Sequence, residues 1–184
     1  MGTIVVTEFV SLDGVFEDPG GAEDYEYGGW TFEYDRGDEG NAFKLDELMD
    51  AKVQLLGRVT YEGFAEAWPS REGPFAEKLN SDPKVVVSTT LTDPQWQNTT
   101  VIDSDVVERL KKLRDDTDGS ILVSGSGLLV ETLLGDRLHL AAQPDLVLEE
   151  AVASRPVLRR LARERDRHVP WTRPRREDHR AGLR

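Results

Sequence analysis

Two short glycine turns hold the residues of this chain best suited to chemistry. Gly57-Arg58-Val59-Thr60-Tyr61-Glu62 follows the apolar run 53–56, and Ser124-Gly125-Ser126-Gly127 follows the apolar run 121–123. Each turn puts a glycine where a buried strand ends and a helix begins. There the first backbone N–H groups of the helix lack intrahelical partners, and the helix dipole favours an anion. Arg58 adds a planar, permanently charged fork and Thr60 a hydroxyl. Two such junctions on one sheet edge suit a ligand with several phosphates, such as a dinucleotide. Each motif also has a plainer meaning. The first is equally a βα turn with a solvated arginine and Thr60 as a cap. The second is equally a tight turn needing small residues. The second is not a Gly-x-Gly-x-x-Gly fingerprint, and no acidic residue ends the next strand to hold a ribose, so an ordinary Rossmann site is not expected.

Other candidates flank these turns. Ser88 and Thr89, with Thr90, close a third apolar run. Hydroxyls there either line the adenosine part of a nucleotide or satisfy loop backbone. Asp13 comes directly after the first strand, paired with Gly14; it is a candidate for hydrogen bonding a heterocycle or relaying a proton, although an Asp-Gly turn is the more frequent meaning of the pair. Trp30 and Phe32, with Tyr34 and Trp68, form either an aromatic wall over a flat substrate or anchors that pin a loop to the core. Arg71, Lys78 and Lys84 read as solvated. No metal site is expected: there is no cysteine, the three histidines are scattered, and the acidic residues lack an EF-hand spacing.

The elements that must position these residues alternate between strand and helix. Strands are expected at 3–10, 51–56, 84–88, 99–102, 121–123 and 137–142. Helices are expected at 42–49, 60–67, 74–79, 128–134 and along a face made by Val106, Val107, Leu110 and Leu113, capped by Ser104 or Asp105. Such alternation predicts an α/β fold with a mainly parallel sheet between helices. The segment 17–47 is acidic and glycine-rich, and reads as a long, mobile connection of the kind that serves as a lid or binding loop.

The chain has 184 residues and a net charge of −12, enough length for one domain and the wrong sign for a nucleic-acid partner. No apolar run approaches the roughly 20 residues of a membrane span, and no signal peptide is apparent, so a cytoplasmic location is expected. The charge is uneven. Residues 151–184 hold 11 arginines against 4 acidic residues, a balance of +7 that leaves −19 for residues 1–150.

Four motifs in this order and at these intervals resemble the dihydrofolate-reductase-like family. They are Ser11-Leu12-Asp13-Gly14-Val15, residues 55–64 with Trp68-Pro69, residues 85–91, and residues 121–134. The resemblance lies with the branch that includes the C-terminal reductase domain of the bifunctional riboflavin-biosynthesis deaminase-reductase, and covers about residues 2–144. It implies a three-layer fold with a mainly parallel, mixed central sheet. It also implies NADPH as hydride donor, a pterin-like or ribosylaminopyrimidine substrate, and a homodimer. Carried over by motif, Arg58 and Thr60 contact cofactor phosphates, with Gly57 at the turn. Ser88 and Thr89 lie on the adenosine 2′-phosphate side. Gly125, Ser126 and Gly127 cradle the pyrophosphate, and Asp13 lies where the first strand meets nicotinamide and substrate. The helix-borne carboxylate of a true dihydrofolate reductase has three candidates: Asp35, Asp46 and Glu47. After Pro144 the family pattern stops. Residues 145–184 read as a divergent basic tail, frameshifted, replaced or disordered, which would leave the sheet without its last strands. The competing reading is therefore a nucleotide-binding module, or an inactive remnant, that keeps the phosphate turns without catalysis. A third makes the basic tail an interaction arm for an acidic partner.

Overall fold

The computed structural model describes residues 1–11 and 14–135. These belong to the first of two units into which the chain divides, Met1–Gln143. Asp13, the strand expected at 137–142 and the basic tail lie outside the described residues.

Five strands form one sheet: β1 (Thr3–Thr7), β2 (Ala51–Gly57), β3 (Lys84–Val87), β4 (Thr99–Ile102) and β5 (Ser120–Ser124). Their order is β1-β5-β2-β3-β4, and every pairing among the described residues is parallel. Helices connect them: α1 (Gly37–Asp50), α2 (Arg58–Ala67), α3 (Pro74–Ser81), α4 (Val106–Asp116) and α5 (Gly127–Gly135), with one 3-10 turn at Trp30–Glu33. β2 and β5 are buried along almost their whole length, as strands covered on both faces must be.

Side-chain alternation sends the strands' apolar residues to two cores. Ile4, Val53, Leu55, Val85, Ile102, Ile121 and Val123 pack with Leu110 of α4 and with Leu129 and Leu133 of α5. On the other face Leu56, Val86 and Leu122 pack with Leu48 of α1, Tyr61 of α2 and Leu79 of α3. The described residues thus form three layers, helix–sheet–helix. Each fully buried Leu or Ile contributes about 1.5–3 kcal/mol. The Tyr61 hydroxyl accepts a hydrogen bond from the Trp96 N–H (3.0 Å), tying α2 to the β3–β4 connection.

Several boundaries differ from expectation for physical reasons. β1 stops at Thr7 rather than residue 10, because Thr7 turns its hydroxyl to α1 and its carbonyl to Gly125. α1 starts five residues early, at Gly37. Asp35 accepts the Gly37 N–H (2.8 Å), and Asp38 and Glu39 occupy the first turn, where the dipole favours acids. Neither expected side chain caps α4: Asp105 stands at the N-cap with a left-handed backbone, while Ser104 bonds Asp103 instead.

The lysines correct the expectation of solvation. Lys84 opens β3 with 1% of its surface exposed. Its ammonium donates to the carbonyls of Asn80 (3.2 Å), Asp82 (2.7 Å) and Gln97 (3.2 Å), and lies 4.3 Å from the Trp96 ring centre. Burial pushes its pKa down to about 8, against the attraction of Asp82. Lys78 donates to the Ala51 carbonyl (2.7 Å) and the Asp82 carboxylate (2.6 Å), while Arg71 lies over the Trp68 ring. These groups stitch the amino end of the sheet, opposite the glycine turns.

Candidate functional site

β2 and β5 are parallel neighbours, with Leu55 paired to Val123, so their carboxyl ends emerge side by side. Sheet order therefore brings the two glycine turns together. Gly57 passes from β2 to α2 in a single residue with no side-chain cap, which leaves the first amides of α2 without a side-chain acceptor. A Cβ at Gly57 would overlap Ser126 Oγ and stand 3.0 Å from Ser126 Cβ. A Cβ at Gly125 would stand 3.4 Å from Thr60 Oγ1. The two turns are thus one continuous surface rather than two separate cradles. Gly125 and Ser126 both have a left-handed backbone (φ 67° and 71°), and the Gly125 N–H reaches the Thr7 carbonyl of β1 (3.3 Å). Three strand ends meet at this point.

The remaining candidates take the following places. Arg58 is half-exposed and runs along α2 to Glu62 (2.7 Å), and Thr60 sits one turn in, against Gly125. Ser88 follows β3 directly, beside Gly57, whose register partner is Val87. Its oxygen accepts the N–H groups of Thr90 (3.1 Å) and Leu91 (3.0 Å), so it holds the loop backbone; Thr89 beside it is exposed.

The acidic loop is not the loose connection expected; it is organised on Asp18. This carboxylate is 4% exposed and accepts the N–H groups of Ala22 (2.7 Å) and Tyr25 (3.3 Å), while its own carbonyl accepts those of Gly21 and Gly29. Gly28 packs directly on it, where a Cβ would collide. The loop also crosses the middle of α2 and the start of α5. Ala22 lies against Gly63 of α2, and the Phe16 ring lies so close to Gly127 that a Cβ there would stand 2.7 Å from it. Trp30 and Phe32 sit on the 3-10 turn of this loop. Trp30 is part-buried and donates to the Glu17 carbonyl (3.1 Å), whereas Phe32 is 74% exposed.

Beyond the residues expected from sequence, the end of β1 carries a polar group. Thr7 donates to Glu47 of α1 (3.0 Å), and Lys44 bonds both Thr7 and Glu47. Glu8 follows. Its Oε1 is buried with no hydrogen-bond partner, and burial raises its pKa to about 7 despite the opposing attraction of Lys44. Phe9 then lies beneath two cations, Arg36 (5.2 Å) and Lys44 (5.4 Å). Glu47, one of the three candidate carboxylates on helix α1 or just before it, is paired here; Glu8 is not among those candidates. A glutamate straight after an apolar strand was the available signal.

A phosphate-bearing group fits this arrangement. Uncapped α2 amides and a close backbone approach at Gly57 and Gly125 meet on one sheet edge, and Arg58, the first residue of α2, directs its guanidinium along the helix to Glu62.

The profile of a family described as the RibD C-terminal domain matches residues 2–147. Among solved structures, a Shewanella sp. PV-4 protein provisionally named for riboflavin biosynthesis is similar at 18% identity and a TM-score of 0.50, covering 72% of this chain and 68% of its own. A dihydrofolate reductase from Enterococcus faecalis, complexed with NADP(H) and RAB-propyl, is similar at 19% identity and a TM-score of 0.45. That similarity covers 72% of this chain and 64% of the enzyme, less than two thirds of the enzyme's length. No curated protein matches by sequence.

Proposed function

Because the chain belongs to the RibD C-terminal domain family and has a dihydrofolate-reductase-like α/β fold, we propose that it is an NADPH-dependent reductase of a pterin-like or ribosylaminopyrimidine heterocycle. The observation that carries this reading is the fusion of the two glycine turns across β2 and β5, with Ser126 on Gly57 and Thr60 against Gly125. A single backbone-lined surface at two helix starts suits a diphosphate bridge better than two isolated anion sites would.

In this reading Gly57, Arg58, Thr60, Gly125, Ser126 and Gly127 hold the phosphates. Ser88 and Thr89 lie toward the adenosine side, and Trp30 and Phe32 wall the heterocycle. Asp13, outside the described residues, is assigned to the heterocycle's polar edge. NADPH, when bound, supplies a hydride from its dihydronicotinamide ring. The chain's own contribution is orientation and electrostatics: fixed amides at the phosphates, and a loop that shields the strand ends from water. The working unit is proposed to be a cytoplasmic homodimer.

Fluorescence or calorimetric titration with NADPH and NADH tests the reading. Saturable binding with preference for NADPH is expected. Failure of both nucleotides to bind would remove the reductase assignment.

A further inference from the structure

Resting on the reductase reading, we propose that Glu8 is the general acid of this site, the group that protonates the substrate atom next to the carbon receiving hydride. Its placement comes from both neighbours. Thr7 is held by Gly125 through its carbonyl and by Glu47 and Lys44 through its hydroxyl. Phe9 is held under Arg36 and Lys44. Glu8 is therefore fixed at the carboxyl end of β1, one residue from the strand end bonded to the phosphate turn.

Among the described polar side chains gathered here, Glu8 alone has an uncommitted buried atom. Glu47 and Lys44 are paired to each other and to Thr7. Glu8 Oε1 is buried without a partner, and no salt bridge among the described residues reaches Glu8. The charged groups on α1 facing this strand end are Lys44 and Glu47. A carboxyl so placed is well suited to be protonated near neutrality, and burial does hold its pKa near 7.

The step balances. Hydride from the reduced nicotinamide forms a C–H bond at the carbon of a ring C=N or C=O. The π electron pair moves to nitrogen or oxygen, which takes the Glu8 proton. Glu8 is left as a carboxylate and regains a proton from water.

Glu8→Gln and Glu8→Asp are compared with the wild-type protein in two assays. One is NADPH binding by fluorescence. The other is single-turnover NADPH oxidation from pH 5 to 9 with a panel of pterins, pyrimidines and quinonoid compounds. The wild-type rate is expected to fall about tenfold per pH unit above about pH 7. Glu8→Gln is expected to be slower by about 100-fold or more, without that falling limb, and to bind NADPH within about twofold of wild type. A Glu8→Gln rate and pH profile like wild type would overturn the proposal while leaving the reductase reading standing. If the wild-type protein oxidised NADPH with no compound, both would fall. Should Glu8→Gln lose NADPH binding, Glu8→Asp decides: a displaced limb supports Glu8 as the acid, and an unmoved one excludes it.

Discussion

Ser126 lies across Gly57 so closely that no side chain at position 57 can coexist with it undisturbed. A methyl group there would displace the hydroxyl and press on a Cβ 3.0 Å away, whose backbone is itself left-handed. Gly57→Ala is therefore expected to cost about 1–3 kcal/mol of stability, in the range of overpacking. Ser126→Gly removes both the hydroxyl and the left-handed strain, so the same change should cost clearly less in that background. Denaturant unfolding of the two single variants and the double variant measures this coupling, and strictly additive effects would contradict the contact.

Arg58 separates a binding role from a structural one. Its pair with Glu62 is half-exposed and one helical turn long, worth about 0.3–0.5 kcal/mol. Arg58→Ala should thus leave the melting temperature nearly unchanged. The same variant should weaken NADPH by on the order of 1–3 kcal/mol through lost charged hydrogen bonds. Calorimetric titration reads the second effect, and unchanged affinity would take Arg58 out of the site.

Stability should depend on pH through Glu8. Its folded-state pKa, about 7, lies above the ordinary value of 4.5, so the folded protein holds the proton more tightly than the unfolded chain. The stabilising effect is complete below about pH 4.5 and is lost as pH rises through 7, by at most about 3 kcal/mol at 1.36 kcal/mol per unit. Glu8→Gln keeps the buried carboxamide neutral. Melting curves of the variant between pH 4.5 and 8 should lack this component.

Lys84→Met should destabilise the protein by on the order of 3 kcal/mol, because three carbonyls that share the ammonium lose their donor. Lys84 has a folded pKa below its free value, so the unfolded chain binds more protons between about pH 8 and 10.5. Wild-type stability should accordingly rise relative to Lys84→Met across that window. Chemical unfolding of both proteins at pH 8 and pH 10 checks the sign.

The framework was largely readable from sequence because it rests on local signals. Apolar runs such as 53–56 and 121–123 mark strands buried on both faces, and the glycines after them mark helix starts. What was not readable depends on which elements become neighbours. That Ser126 meets Gly57 follows from β5 lying beside β2, which neither motif encodes. Lys84 looked solvated because a lysine opening a strand normally is; three carbonyls and Trp96, distant in sequence or set by a turn, bury it. The setting of Glu8 is non-local in the same way: it comes from α1 folding back over the end of β1. Asp18 was hidden among many acids of like appearance, and its burial and inward aim distinguish it.

Anchoring on Asp18 has a consequence for specificity. A segment gathered on one internal carboxylate keeps its outline while its outward side chains vary, much as a hoop keeps its shape whatever is hung from it. In the proposed reductase, positions such as Tyr27, Phe32 and Tyr34, all largely exposed, are therefore the ones to exchange to change which compound is admitted, without rebuilding the scaffold beneath.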